Sequence, residues 1–81
     1  METLNNIIAT NLRVAMAKEN ISVTKVHLLT GVSRSSITSY RKGDMKQVDL
    51  VTITKLSEVL NIKPSDLFIE GDSDEWRNNQ D

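Results

Sequence analysis

The sequence contains no cysteine, one histidine, one proline and three glycines among its 81 residues. Without cysteine the chain can form neither a disulfide nor a thiolate metal site, and His27 alone cannot supply the ligands of a zinc site. No run approaches the roughly 18 apolar residues that span a membrane. The N-terminal METLNN also lacks the basic and then apolar order of a secretory signal. We therefore expect a soluble, cytoplasmic protein that carries no metal or other cofactor.

The basic residues are concentrated in the middle of the chain, although the formal net charge is -1. Residues 22–48 contain five basic residues and one acidic residue. Residues 49–70 contain two basic and four acidic residues, and residues 71–81 contain one basic and four acidic residues. The local sign of the charge decides whether a polyanion can bind. The central segment is therefore the candidate surface for a nucleic acid.

Apolar residues recur at helical spacing along most of the chain, and no segment alternates as a strand does. Pro64 suits the first position of a helix, where no N–H donor is needed. These patterns predict an all-α fold with five helices. The first three helices are predicted over residues 4–19, 23–30 and 34–42. The fourth is predicted to begin after the N-cap Asp49 and to end at Asn61, and the fifth to run from Pro64 to near Ile69.

Capping residues stand at the ends of these predicted helices. Ser22, Ser33 and Asp49 are N-cap types, whose side-chain oxygens accept from the first backbone N–H groups. Asn20 and Gly31 are expected in the left-handed conformation that commonly ends a helix. Residues 44–48 are predicted to form a loop. The side chains predicted to face the core from the first and fourth helices are Leu4, Ile8, Leu12 and Ala15, and Leu50, Ile53, Leu56 and Leu60.

The stretch TGVSRSSITSYRKG, residues 30–43, contains a glycine turn followed by a short capped helix, as a helix-turn-helix motif does. Ile37 and Tyr40 are predicted to fix this third helix to the core. Its opposite face then carries short hydroxyls and cations, which suits the major groove because only slim side chains let a helix approach the base edges closely. The candidate base contacts are Arg34, Ser35, Thr38 and Ser39, and the candidate phosphate contacts are Lys25, Arg41, Lys42 and Lys46.

Three stretches, LRVAMAKENIS, TGVSRSSITSYRKG and VDLVTITKLSEVLNIKPSDLF, resemble the phage repressor and Cro family of helix-turn-helix domains over about residues 4–69. The resemblance implies a compact, five-helix, lambda-repressor-like domain that places its third helix in the major groove of double-stranded DNA. It further implies a repressor of transcription that binds two half-sites as a homodimer. Transferred to matching positions, it places Arg34, Ser35 and Ser39 against bases and Lys42 with the following loop against phosphate.

Two residues depart from the family pattern. Val23 stands where the family usually has a glutamine that contacts phosphate, so one positioning contact is missing. His27 stands where the family usually has alanine, and its ring should either widen the spacing of the two helices or point out at their edge. A packed or edge histidine is favoured over a pH switch or a ligand, because no second ligand lies at helical spacing.

The sequence predicts a DNA-binding domain over residues 1–70 and an acidic, disordered tail over residues 71–81. The tail could aid solubility, compete with DNA for the basic surface, or anchor a dimer through Trp76. A second class of function is a protein-binding adaptor or antitoxin on the same scaffold, with Leu28, Leu29 and Trp76 as its contact surface. An enzyme is not expected, since no base is placed to activate Ser35 or Ser36.

Overall fold

The computed structural model describes residues 3–70. Residues 71–81, for which the sequence predicts an acidic and disordered tail, lie outside the described residues. Within residues 3–70 there are helices and no strands, which agrees with the predicted all-α class. The elements are α1 (Leu4–Glu19), α2 (Val23–Thr30), α3 (Arg34–Lys42), α4 (Leu50–Val59) and a 3₁₀-helix (Pro64–Phe68).

The predicted fifth α-helix is wrong in type, since this segment is a 3₁₀-helix of 5 residues. The Asp66 N–H donates to the Lys63 carbonyl oxygen at 2.9 Å, three residues back, and the Lys63 N–H donates to Asp66 Oδ2 at 3.0 Å. Pro64 contributes no N–H, and the backbone is already extended at Ile69. The segment is therefore too short for a regular α-helix, and the domain has four α-helices instead of five.

Local chemistry sets the ends of the other helices as predicted. Ser22 Oγ accepts from the Lys25 N–H at 3.1 Å, and Ser33 Oγ accepts from the Ser36 N–H at 3.2 Å. Asn20, at φ 53°, ends α1 in the left-handed conformation. The cap residues thus place the ends of α1, α2 and α3 without help from distant parts of the chain.

The hydrophobic core lies where α1 packs against α3 and the 3₁₀-helix, and where α2 packs against α3 and α4. Ser57 is the one buried polar residue among those described, and its hydroxyl donates to the Ile53 carbonyl at 2.7 Å. Its burial is therefore satisfied by a hydrogen bond. The buried apolar residues are Ile8, Ala9, Leu12, Ala15, Met16, Val26, Ile37, Tyr40, Met45, Ile53, Leu56, Leu60 and Leu67.

Three predicted core or loop positions are corrected. Leu50 is 69% exposed although helical spacing puts it on the same side as Ile53, because it is the first residue of α4 and the buried residues of this helix begin only at Ile53. Leu4, at the start of α1, is 48% exposed for the same kind of reason. Met45, in the segment predicted only as a loop, is buried to 6% exposure. The loop after α3 is therefore anchored in the core.

Side-chain hydrogen bonds hold the segments that lack regular structure. The Asn5 amide donates to the Met45 carbonyl at 2.9 Å, which ties the loop to α1. The Asn11 amide donates to the carbonyls of Leu67 and Ile69, both at 2.9 Å. The Tyr40 hydroxyl accepts from the Asp49 N–H at 2.8 Å and ties the end of the loop to α3.

The two glycines that follow α2 and α3 offer a matched test of close packing. Gly31 and Gly43 have φ of +79° and +80°, but only Gly43 has atoms near the point that a Cβ would occupy, including Asn6 Oδ1 at 2.8 Å and the Asn5 carbonyl at 3.3 Å. Gly31→Ala should lower the free energy of unfolding by about 1–2 kcal/mol, solely because alanine is disfavoured at a positive φ. The exposed Asn6 side chain can rotate away from an added Cβ, but the Asn5 backbone carbonyl cannot, so Gly43→Ala should cost a further ~1 kcal/mol through overpacking. Urea denaturation measures both, and equal losses would contradict the packing argument.

Removal of the Tyr40 hydroxyl should loosen the loop while leaving the ring in the core. Tyr40→Phe is expected to lower the free energy of unfolding by about 1 kcal/mol, the usual net value of one hydrogen bond. The Asp49 amide should also exchange faster with solvent, as hydrogen–deuterium exchange NMR can measure. The control is Thr54→Val, which removes a hydroxyl that donates to the Leu50 carbonyl at 2.9 Å. Unchanged Asp49 exchange in Tyr40→Phe would rule out the proposed tie.

Candidate nucleic-acid interface

The turn between α2 and α3 is built from short-range hydrogen bonds. The Gly31 N–H donates to the His27 carbonyl at 2.9 Å and closes α2. The Thr30 hydroxyl donates to the Val26 carbonyl at 2.7 Å and accepts from the Val32 N–H at 3.1 Å. The backbone therefore leaves α2 and enters α3 along a fixed path.

His27 contributes to the same turn. Its ring is half-buried, and Nδ1 lies 2.8 Å from the Val32 carbonyl oxygen, so this nitrogen carries the proton and donates. The ring thus folds onto the turn instead of separating the two helices. This contact agrees with the expectation of a packed or edge histidine.

The inner face of α3 is fixed as the sequence predicts. Ile37 is fully buried and Tyr40 is 5% exposed. Two buried anchors one turn apart determine how the short helix is rotated about its axis. This rotation decides which side chains α3 presents to solvent.

The candidate base-contacting residues occupy the outer face of α3. Arg34, Ser35 and Thr38 are exposed, whereas Ser39 is half-buried at the edge of this face. Ser35 Oγ also lies 3.3 Å from Ser33 Oγ, the N-cap hydroxyl. The structure therefore brings all four residues together on one side of the helix, with Ser39 the most enclosed of them.

A shallow groove runs along α3 on the side of the following loop. The buried Met45 belongs to its lining, as do Tyr40 and Asp49, which are joined by the hydrogen bond from the Asp49 N–H to the Tyr40 hydroxyl. The groove places Lys46 beside the serine hydroxyls of α3, and it also includes Gln47 and Thr52, which the sequence did not indicate. The residues that line it are Ser35, Ser36, Ser39, Tyr40, Met45, Lys46, Gln47, Asp49 and Thr52.

The candidate phosphate-contacting cations differ in exposure. Lys25, in the first turn of α2, is exposed, as are Lys42 at the end of α3 and Lys46 in the loop. Arg41 is half-buried, and its Nε atom is buried without a hydrogen-bond partner. The four cations thus lie in the first turn of α2, in the C-terminal turn of α3 and in the loop that follows α3.

Arg13 is a further cation at this surface that sequence reasoning missed. Its guanidinium Nη1 donates to the Arg41 carbonyl at the C-terminal end of α3. A cation in this position also interacts favourably with the negative end of the helix dipole. No local signal could have assigned Arg13 to α3, because the two residues are 28 positions apart and meet only through the packing of α1.

Two other kinds of site were sought in the described residues. Within residues 3–70, no group of three or more His, Cys, Asp or Glu side chains is placed to hold a metal ion. Across the same range, no helix combines the length and the apolar character that crossing a membrane requires.

Comparison with known proteins assigns the family. Searches of curated proteins and of solved structures return no match. A family model described as the Cro/C1-type HTH DNA-binding domain matches residues 11–70, which include α2, the glycine turn and α3. This match confirms the resemblance found in the sequence, and it spans most of the chain. With its helix-turn-helix geometry and this match, the chain belongs to the Cro/C1-type helix-turn-helix DNA-binding domain family.

Proposed function

We propose that this protein is a sequence-specific DNA-binding repressor of transcription that inserts α3 into the major groove. The observation that carries the proposal is the outer face of α3, where slim hydroxyls and one arginine are exposed while Ile37 and Tyr40 are buried. The major groove admits an α-helix and presents a distinct donor and acceptor pattern for each base pair. A DNA ligand is also consistent with the cytoplasmic location expected from the sequence.

In this proposal the outer face of α3 reads the bases, and we call this face, formed by Arg34, Ser35, Thr38 and Ser39, the reading face. Arg34 is exposed in the first turn of α3, and a guanidinium can donate two parallel hydrogen bonds to guanine O6 and N7. Ser35, Thr38 and Ser39 supply short donors and acceptors along the same face. Because their side chains are small, they let the helix backbone lie close to the base edges. No catalytic role is assigned to these hydroxyls.

The surrounding cations would bind phosphates and set the position of α3. Lys25 in α2, Lys42 at the end of α3 and Lys46 in the following loop are exposed, and Arg41 is half-buried in the last turn of α3. Contacts of this kind supply affinity that is independent of sequence and falls with salt. They therefore position the protein, while the outer face of α3 selects the site.

A homodimer follows from the small number of contacts that one domain can make. Residues 1–70 would form the DNA-binding unit, and two copies would bind half-sites about 34 Å apart, one turn of B-DNA. Linking the two binding events multiplies the affinity without new types of contact. An operator with two-fold symmetry is the expected target.

A second candidate function is a protein-binding adaptor on the same scaffold. It is favoured by Leu28 and Leu29, which are 69% and 57% exposed on α2. Retention on random-sequence DNA at low salt separates the two functions. Strong, salt-sensitive retention supports DNA binding, whereas no retention together with tight capture of a protein supports the adaptor.

Arg34→Ala tests the reading face. The operator is first obtained by selection from randomised duplex DNA. The substitution should then weaken binding to this operator by about 1–3 kcal/mol and relax the preference at one base pair, with little effect on random DNA. Fluorescence anisotropy measures both affinities. Lys55→Ala, on the exposed surface of α4, is the control for the loss of one positive charge. An equal loss on operator and random DNA would contradict base reading by Arg34.

Lys42→Ala tests the phosphate contacts. This substitution should weaken binding to operator and random DNA alike, because a phosphate contact carries no sequence information. The slope of log K against log salt concentration should become shallower by about 1. The slope is measured by titration at several salt concentrations, again with Lys55→Ala as the control. A slope that stays at the wild-type value would remove Lys42 from the interface.

A further inference from the structure

A basic pocket lies behind the C-terminal end of α3, where the last turns of α1 and the start of α2 meet it. Two guanidinium groups, those of Arg13 and Arg41, belong to this pocket, and no acidic residue is among the residues that form it within the described part of the chain. The side chains that line it are Arg13, Met16, Ala17, Asn20, Ile21, Ser22 and Arg41.

Arg41 gives the pocket an unsatisfied donor. Its Nε–H is buried and has no hydrogen-bond partner. Arg13 donates to the backbone carbonyl of Arg41, a neutral acceptor, so this bond neutralises neither positive charge. The first turn of α2, capped by Ser22, adds the positive end of a helix dipole. An anionic oxygen that contacts the outer nitrogens of the two guanidinium groups would offset the local excess of positive charge.

The position at which the chain leaves the described structure brings an acidic segment within reach. The Asn11 amide holds the Leu67 and Ile69 carbonyls at 2.9 Å, so the end of the described chain is fastened to α1. Asp74 and Glu75 follow Ile69 by five and six residues. Five to six extended residues span up to about 17–21 Å, and half the circumference of a helix that is about 10–12 Å across is about 16–19 Å. A chain of this length is therefore just sufficient to bring these carboxylates around α1 to the side that carries Arg13.

We propose that the carboxylates of Asp74 and Glu75 bind the Arg13–Arg41 pocket in the DNA-free protein. This occupant matches the pocket in charge, and the tether gives it a high effective concentration. The tail then screens cations at the edge of the reading face until a DNA phosphate replaces it. This last step, the competition with DNA, rests on the proposed function, whereas the contact between tail and pocket does not.

The test compares two full-length variants with the same change in charge. Asp74→Asn/Glu75→Gln neutralises the tail, and Glu58→Gln/Glu70→Gln neutralises two exposed acids elsewhere. The NMR resonance of the Arg41 Nε–H should shift in the tail variant and stay in place in the control. Affinity for random DNA at low salt should rise about two- to fivefold more in the tail variant than in the control, as for one exposed ion pair.

Each other outcome overturns a stated part of the inference. An unchanged Arg41 resonance in the tail variant would exclude the contact. A resonance that changes with protein concentration would assign the contact to the tail of a second copy. A shifted resonance with equal DNA affinities in the two variants would remove the competition. If none of the proteins binds DNA, the proposed function fails while the NMR result still decides the contact.

Discussion

The burial of Ile37 and Tyr40 is the constraint on which the rest of the molecule depends. An isolated helix of 9 residues such as α3 would be marginal in water. Its two buried side chains give it tertiary support and fix its rotation, since residues 37 and 40 share one face. The hydroxyl face is directed outward for the same reason. A rotation of α3 by one residue would bury serine hydroxyls and expose the apolar anchors.

Local chemistry explains why the helix ends could be predicted from sequence. Ser22 and Ser33 cap helices by bonding N–H groups three residues away, and Asn20 and Gly31 take left-handed conformations that few other residues adopt readily. These effects need no information about distant segments. The burial of Met45 and the exposure of Leu50 depend on how the elements pack. The hydrophobic pattern alone could not distinguish a core position from one at the edge of a helix face.

In the candidate interface, too, some features are set by the local sequence and others by the packing of distant segments. The outer face of α3 followed from the spacing of residues within one helix. The groove beside it, with Gln47 and Thr52, arises because Tyr40 and Met45 fasten the loop to the core. The pairing of Arg13 with the end of α3 also depends on tertiary packing, because α1 and α3 are separated in sequence by all of α2. Sequence reasoning therefore predicted which residues lie on the outer face of α3 and missed part of its surroundings.

The composition of the reading face bears on how such a domain could discriminate between sites. Small hydroxyls permit close approach, but each is a single flexible donor or acceptor that can pair with several base edges. Arg34 is the one side chain on this face that can form a bidentate contact. Discrimination by one copy would therefore rest on few strong contacts, while the cations around α3 add affinity for any DNA. The proposed homodimer would double the number of base pairs read, and the proposed competition by the acidic segment would lower the sequence-independent part of the affinity. Both would therefore raise the ratio of specific to non-specific binding, which the contacts of one copy would leave small.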